Sequence, residues 1–174
     1  MVMLSGRVYL VTGGGGGIGA ATGRVLTERG AAVALADLDG ETARRAASQI
    51  PRAIGLQCDI TDAASVAEAI EQTVTHFGRL DGAVSNAGTV HLDTAWDLTP
   101  EQWQRELEVN VTGPFITARQ VGEHLRSAGG GAIVNVASNC GKVGYANMAA
   151  YNASKAAVIS MTRSLAMEWA KDGI

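Results

Sequence analysis

Tyr151 and Lys155 are the residues of this chain whose types and spacing most directly suggest chemistry. They lie in a segment rich in Ala, Ser and Met, which predicts a helix from Met148 to Lys171, and residues four apart share one face of a helix. A neighbouring ammonium group favours the phenolate and lowers the pKa of a tyrosine from its ordinary value of about 10. Such a phenol can exchange a proton with an alcohol or a ketone. A Tyr-x-x-x-Lys pair alone is most often surface chemistry without function, so its interpretation depends on the rest of the chain.

A cluster of glycines, Thr12-Gly13-Gly14-Gly15-Gly16-Gly17-Ile18-Gly19, lies between a predicted strand and a predicted helix. Glycines let the backbone approach a pyrophosphate closely, and the helix N-terminus behind them offers free N–H groups and the positive end of the helix dipole. A flexible turn has a similar composition. Here a strand precedes the cluster, a helix follows it, and an acidic residue ends the next strand, so the pattern predicts a dinucleotide-binding loop.

Asp37 is the acidic residue at the end of the second predicted strand. A carboxylate at this place accepts hydrogen bonds from a ribose 2′-hydroxyl and repels a 2′-phosphate. The glycine run contains no Arg or Lys that could bind such a phosphate, so NAD is predicted in preference to NADP. Asp39 is a nearby alternative for the same role, and a solvated loop carboxylate is the alternative for both residues.

Apolar strands that alternate with helices must position these residues. The sequence predicts strands at 8–11, 32–36, 54–58, 80–85 and 132–136, and helices at 20–29, 40–49, 62–77, 100–127 and 148–171, with a possible bend near Gly113-Pro114. Strands that are apolar throughout and separated by helices indicate a parallel sheet covered on both faces. We therefore predict an α/β fold, a three-layer Rossmann-type doubly wound parallel sheet with strand order 3-2-1-4-5, in a single domain spanning 1–174.

Composition restricts the classes of function. The chain has 174 residues, 47% hydrophobic and 18% charged, with a formal charge of −3, which gives no electrostatic footprint for nucleic acid. Residues 1–7 lack the apolar core of a secretory signal, and no apolar run is long enough to span a membrane. Cys58 and Cys140 lie far apart, without clustered histidines, so neither a disulfide framework nor a metal site is predicted. The predicted location is the cytoplasm.

Taken together, these motifs resemble the short-chain dehydrogenase/reductase family. The matching motifs are Thr12-Gly13-x-x-x-Gly17-x-Gly19, Asn86-Ala87-Gly88, Asn110, Ser138 and Tyr151-x-x-x-Lys155, in the family's order along the entire chain. The resemblance implies an NAD(H)-dependent oxidoreductase that interconverts a secondary alcohol and a ketone by hydride transfer.

The resemblance also implies a role for each catalytic residue. Tyr151 is expected to act as general acid/base at the reacting oxygen, and Lys155 to lower the tyrosine pKa and bind the nicotinamide ribose. Ser138 is expected to hold the reacting oxygen, and Asn110 to anchor a water molecule that links Lys155 to solvent.

The cofactor site implied by the resemblance extends over most of the chain. It comprises Gly13, Gly16, Gly17, Ile18, Gly19, Asp37, Leu38, Asp59, Ile60, Asn86, Ala87, Gly88, Tyr151 and Lys155. Asp59 and Ile60 resemble the pair that contacts adenine, although a helix-capping or loop role explains them equally well. His91, Cys140, Tyr145 and Asn147 lie near the expected pocket mouth, and none of them is singled out as a substrate ligand.

The family normally continues beyond the Tyr151 helix with a further strand, a segment near the nicotinamide and a substrate lid. We therefore expect the C-terminal strands to be missing, with the fifth strand as an apolar edge, and the sequence to be part of a longer chain. The alternative is a naturally short member whose edge is covered by a partner. For function, the alternative is a catalytically incomplete nucleotide-binding fragment or a non-catalytic binding protein. The resemblance further implies a homodimer or homotetramer built from the long helix and the Tyr151 helix, although a core-facing role explains their composition equally well.

Overall fold

A sheet of five parallel strands forms the centre of the protein. The computed structural model describes residues 3–174; Met1 and Val2, which belong to the opening segment considered above, lie outside the described residues. The strands are β1 (Val8–Thr12), β2 (Ala32–Asp37), β3 (Ala53–Gln57), β4 (Gly82–Ser85) and β5 (Ala132–Asn135). Their order is β3-β2-β1-β4-β5, and every neighbouring pair is parallel. The predicted α/β fold and strand order are therefore confirmed.

The helices connect these strands. They are α1 (Gly17–Glu28), α2 (Gly40–Ala47), α3 (Ala63–Phe77), α4 (Pro100–Leu107), α5 (Gly113–Ala128) and α6 (Ala149–Trp169). α1 begins at Gly17 and not at the predicted Ala20, because the last glycines of the loop already form its first turn. The remaining ends differ from the predicted ones by at most two residues, except where the helix predicted at 100–127 is divided.

A π-helical turn, Glu108–Thr112, separates α4 from α5. Pro114 explains the division, since proline has no N–H and cannot donate the α-helical hydrogen bond to the carbonyl of Asn110. The chain widens instead, and the N–H of Gly113 bonds to the carbonyl of Glu108, five residues back. The predicted bend near Gly113-Pro114 is thus a π-helical turn, and it lies at a predicted site residue.

The apolar strands divide their side chains between two core clusters, one on each face of the sheet. Leu10 and Ala34 belong to one cluster, and their chain neighbours Val11 and Leu35 belong to the other. This alternation follows from the two-residue period of a strand. With both faces packed at β1 and β2, the centre of the sheet is a rigid support for the residues that follow the carboxyl ends of its strands.

A charged clamp joins the amino ends of β1 and β4. The carboxylate of Asp81 accepts hydrogen bonds from Arg7 Nη1 (2.7 Å), Arg79 Nε (2.8 Å) and the backbone N–H of Val8 (2.9 Å). Burial by itself raises the pKa of Asp81, but the hydrogen bonds from Arg79 and Arg7 outweigh burial and hold that pKa below its ordinary value. The clamp lies at the end of the sheet opposite the predicted site. In residues 3–174, no helix combines the length and apolar character needed to cross a membrane.

Candidate active site

Tyr151 and Lys155 lie one turn apart on α6, as the spacing predicts. Lys155 Nζ is 5.5 Å from the centre of the Tyr151 ring and donates a hydrogen bond of 2.9 Å to the carbonyl of Val136, just after β5. Only 5% of Lys155 is exposed, and this burial lowers the pKa of its ammonium group. The ammonium is therefore fixed beside the phenol.

Asn110 lies in the π-helical turn and is fully buried. Its side chain bonds both backbone groups of Thr89: Oδ1 accepts from the N–H (2.8 Å), and Nδ2 donates to the carbonyl (2.7 Å). Nδ2 also donates to Ser154 Oγ (3.2 Å), and that hydroxyl donates to the carbonyl of Tyr151 (2.8 Å). Asn110 thereby links the segment after β4 to the turn of α6 that carries Tyr151.

Ser138 begins a one-turn 3₁₀ helix, Asn139–Gly141, shortly after β5. Its Oγ accepts a hydrogen bond from the N–H of Cys140 (3.2 Å), so the hydroxyl hydrogen remains able to donate. The turn packs directly on α6, because a Cβ placed on Gly141 would lie 2.6 Å from the carbonyl oxygen of Lys155. Ser138 is thus held at the same end of the sheet as Lys155.

The glycine loop presents an open helix N-terminus. Gly16 precedes α1, and within residues 3–174 no side chain caps this helix end. Gly17 has a φ of +51° and open space around its Cα, and Ile18 beside it is exposed. A Cβ on Gly19 would collide with the carbonyl of Gly13, so the turn needs glycine there. Uncapped N–H groups behind a tight glycine turn are suited to bind a pyrophosphate.

Asn86 ties this loop to the end of β4. Its Nδ2 donates to the carbonyls of Thr12 (3.1 Å) and Gly13 (3.2 Å), and the N–H of Ala87 donates to Thr12 Oγ1 (3.2 Å). Gly88 then passes between Asn110 and Lys155, since a Cβ on it would lie 3.0 Å from Asn110 Oδ1 and 3.8 Å from Lys155 Nζ. The Asn86-Ala87-Gly88 segment therefore joins the predicted cofactor loop to the predicted catalytic residues.

The structure distinguishes Asp37 from Asp39. Asp37 Oδ2 accepts from the N–H of Gly15 (2.9 Å), and Oδ1 accepts from the N–H of Asp39 (3.2 Å). Asp39 instead caps α2, accepting from the N–H of Glu41 (3.0 Å) and from the hydroxyl of Thr42 (2.6 Å). Hydrogen bonds from Thr42 lower the pKa of Asp39. Only Asp37 is held against the glycine loop, and the exposed Leu38 follows it.

Asp59 and Ile60, for which the sequence left a loop or helix-capping role open beside adenine binding, both make contacts within the protein. Asp59 Oδ1 accepts hydrogen bonds from the hydroxyl (2.7 Å) and the N–H (2.9 Å) of Thr61, and these bonds lower the pKa of Asp59. Ile60 is buried in the core, where its Cδ1 would lie 2.5 Å from a Cβ on Gly113. These contacts favour a loop role for Asp59 and a packing role for the Ile60 side chain.

Glu106 is a further residue at this site that the sequence pattern does not single out. It is fully buried, and its Oε2 accepts from the N–H of His91 (3.0 Å) and lies 3.2 Å from His91 Nδ1. Its Oε1 is buried and has no hydrogen-bond partner in the described part of the chain. Glu106 precedes Asn110 by four residues. Glu106 binds His91 and Asn110 binds Thr89, so the two residues together hold both ends of the segment from Thr89 to His91. No sequence motif marks Glu106, because its pairing with His91 depends on how separate segments meet in space.

Comparison with known proteins agrees with this geometry. Residues 7–174 match the family model described as short chain dehydrogenase. A D-threitol dehydrogenase from Mycolicibacterium smegmatis is 40% identical over 98% of this chain and 67% of its own length. An NAD-dependent glycerol dehydrogenase from Listeria innocua is 37% identical over 96% of this chain and 66% of its own length. The chain thus spans about two thirds of the length of these relatives.

Solved structures show the same similarity. The crystal structure of a 3-ketoacyl-(acyl-carrier-protein) reductase from Brucella melitensis complexed with NADH superposes with a TM-score of 0.93 at 35% identity. The match covers 98% of this chain and 72% of that chain. The family model covers nearly the whole sequence, and the motifs that carry the resemblance lie together in the structure. The chain belongs to the short-chain dehydrogenase family.

Proposed function

We propose that the protein is an NAD(H)-dependent oxidoreductase that interconverts a secondary alcohol and a ketone. The observation that carries this proposal is the meeting of Tyr151, the buried Lys155, Asn110 and Ser138 beyond the carboxyl ends of β4 and β5. Ligands of open α/β sheets bind at this end of the strands. The names of two relatives, a D-threitol dehydrogenase and a glycerol dehydrogenase, support an alcohol as the substrate.

The residues of the loop and of β2 fit a nicotinamide dinucleotide. The uncapped N–H groups from Gly17 to Gly19 would hold the pyrophosphate, Asp37 the adenosine ribose, and Lys155 the nicotinamide ribose. When bound, the cofactor supplies or accepts the hydride. Asp37 supports NAD over NADP, because its carboxylate is fixed against the glycine loop where a 2′-phosphate would be repelled. The NAD-dependent relative and the NADH-bound reductase also support NAD.

Side chains of the protein would transfer the proton to and from the substrate oxygen. In ketone reduction the Tyr151 phenol donates its proton to the carbonyl oxygen, and in alcohol oxidation the phenolate accepts the hydroxyl proton. The ammonium of Lys155 stabilises the phenolate, and Val136 holds that ammonium in place. Ser138 donates a hydrogen bond to the reacting oxygen, which accumulates negative charge as the proton leaves. Asn110 keeps the Tyr151 turn and the segment after β4 in register.

We also propose that the protein is a homodimer or homotetramer that pairs through the α4–α5 region and α6. Phe115 on α5 and Met167 on α6 are large apolar side chains that are exposed in the single chain. Such side chains are common in interfaces between subunits. Sedimentation that shows only monomer at micromolar concentration would contradict this assembly. A cytoplasmic location stays a prediction.

The first test is binding of NADH and of NADPH, followed by reduced-nicotinamide fluorescence, and then a screen of secondary alcohols and ketones. Tyr151→Phe should reduce turnover by about 10²–10⁴-fold and leave NADH affinity close to that of the wild type. Tyr9→Phe is the matched control, since Tyr9 lies in β1, near the amino end of the sheet. A Tyr151→Phe variant with wild-type turnover would overturn the catalytic assignment. NADH binding without turnover of any alcohol or ketone would favour the non-catalytic alternative.

A further inference from the structure

Tyr145 lies between Ser138 and Tyr151 in the sequence, and two hydrogen bonds hold it. Its hydroxyl accepts a hydrogen bond of 3.0 Å from Asn139 Nδ2, and its backbone carbonyl accepts one of 2.8 Å from Asn152 Nδ2. Asn139 follows Ser138 directly, and Asn152 follows Tyr151 directly. Tyr145 is therefore bonded to the chain neighbour of Ser138 through its hydroxyl and to the chain neighbour of Tyr151 through its backbone carbonyl.

The segment that carries Tyr145 packs on α6 at its start and has a constrained backbone conformation at its end. Its first turn packs on α6 through Gly141, at the level of Lys155. Its last residues include Asn147 with a φ of +60°, a left-handed conformation that asparagine tolerates better than most residues. A side chain held between such contacts has a defined position before a ligand arrives.

The Asn139–Tyr145 pair retains unused hydrogen-bonding capacity. The phenol accepts from Asn139, so its own hydrogen is available to donate, and Asn139 Oδ1 is available to accept. Neither group has another partner among residues 3–174. Tyr145 is 46% exposed, so a small molecule can reach the pair. One donor beside one acceptor matches an alcohol hydroxyl, which both donates and accepts.

We propose that Tyr145 and Asn139 form a second hydroxyl-binding subsite beside the reacting centre, and that the preferred substrates are secondary alcohols or hydroxyketones with another hydroxyl near the reacting carbon. This inference rests on the proposed function. Because Asn139 adjoins Ser138 and the Asn152 anchor adjoins Tyr151, the subsite is placed beside a substrate whose reacting oxygen lies at Tyr151 and Ser138. Vicinal diols and polyols have the required chemistry, and simple secondary alcohols lack it.

The test compares alcohols that differ by one hydroxyl, such as 2-butanol with 2,3-butanediol and cyclohexanol with trans-1,2-cyclohexanediol. The measured quantity is the ratio of kcat/KM for the diol to kcat/KM for the mono-alcohol, in the wild type, Tyr145→Phe, Asn139→Ala and the control Tyr9→Phe. Comparing ratios between variants cancels the factor of two for the equivalent hydroxyls of the diol. NADH affinity, measured in each variant, reports whether the fold is intact.

Tyr145→Phe keeps the aromatic ring and the backbone bond to Asn152, and removes only the phenolic hydroxyl. The ratio should fall about three- to tenfold, the range for one neutral hydrogen bond. Asn139→Ala should lower it by a similar factor, because it removes the acceptor and releases the phenol. Tyr9→Phe should leave the ratio unchanged.

Two results overturn the proposal in different ways. If the wild type oxidises both members of each pair and the ratio is the same in Tyr145→Phe as in the wild type, the subsite is refuted and the proposed function stands. If the chain binds NADH but oxidises no member of the panel and no other alcohol in the screen, the proposed function is refuted, and the subsite that depends on it is refuted with it.

Discussion

Asp37 and Asp39 lie two residues apart, and of the two only Asp37, the proposed selector between NADH and NADPH, is held against the glycine loop. The informative perturbation is Asp37→Asn, which removes the charge at nearly constant shape, with Asp39→Asn as the matched control. Asparagine is as good a helix cap as aspartate, so the control retains the cap on α2. At Asp37, asparagine keeps one acceptor oxygen, which can still bind the N–H of Gly15.

The size of the effect follows from charge and distance. In the proposed complex, a 2′-phosphate in place of the ribose hydroxyl at Asp37 would bring two negative groups to about 5 Å, within the range over which neighbouring charges interact strongly. At an effective dielectric constant between about 20 and 80, one pair of unit charges at that distance repels by roughly 1–3 kcal/mol. Removing the repulsion should therefore tighten NADPH binding about 5- to 150-fold. NADH should bind about fivefold more weakly, because a neutral hydrogen bond to the ribose replaces a charged one and costs about 1 kcal/mol.

Titration of each variant with NADH and with NADPH, followed by reduced-nicotinamide fluorescence at fixed ionic strength, measures both constants. Asp37→Asn should shift the ratio of the two dissociation constants toward NADPH by at least about 25-fold. Asp39→Asn should leave that ratio at the wild-type value. The reasoning is refuted if Asp37→Asn leaves the ratio unchanged, or if Asp39→Asn moves it as far as Asp37→Asn does.

Three other perturbations test the framework around the site. Burial raises the pKa of the Cys58 thiol from 9.0 to about 11, so unfolding releases a proton between these two pH values. The free energy of unfolding should therefore fall by up to about 2 kcal/mol from pH 9 to pH 11. Urea denaturation of Cys58→Ala should lack this extra fall. The lowered pKa of Asp81 stabilises the protein above pH 3.8, and this stability is lost as the pH falls through the lowered pKa. Asp81→Asn should reduce the free energy of unfolding by about 1–2 kcal/mol at pH 7 and abolish this acid-dependent loss of stability. Gly19→Ala should weaken NADH binding by more than about tenfold, because the added Cβ would collide with the carbonyl of Gly13. Gly144 lies in open space, so the control Gly144→Ala should bind NADH as the wild type does. Calorimetry would measure NADH affinity in both variants.

The fold could be predicted because its signals are local and repeated. β2 is an apolar run that is buried along its length until Asp37, and each strand of this kind is followed by a helix. Those two facts, with the right-handed crossover rule, indicate a doubly wound parallel sheet, and the order 3-2-1-4-5 follows from the dinucleotide-binding pattern of the glycine loop. The division of the helix predicted at 100–127 was not predicted beyond a bend. A proline shows that a hydrogen bond is lost, but the packing around the helix decides whether the chain kinks or widens into a π-helical turn.

The sequence predicts only those residues of the candidate site that belong to a motif of fixed spacing. Tyr151, Lys155 and the glycine loop occur in patterns of fixed spacing, and their assignment as site residues stays a prediction. The pairing of Glu106 with His91, and of Asn139 with Tyr145, depends on how separate segments meet in space. No periodicity marks such contacts, so the sequence alone could not identify them.

The residues of the predicted site are positioned mainly by hydrogen bonds to backbone atoms. Asn86 binds the carbonyls of Thr12 and Gly13, Asn110 binds both backbone groups of Thr89, and Lys155 binds the carbonyl of Val136. Backbone atoms are present whatever side chain a position carries, so these bonds fix the geometry of the predicted site independently of the side chains around it. Tyr145 is held in the same way, since its own carbonyl binds Asn152 while its phenol remains exposed. Under the proposed subsite, a substitution at Tyr145 changes which alcohol is preferred and leaves the Tyr151–Lys155 geometry intact. The ratio of kcat/KM for the diol to kcat/KM for the mono-alcohol, and not turnover itself, is therefore the informative measurement.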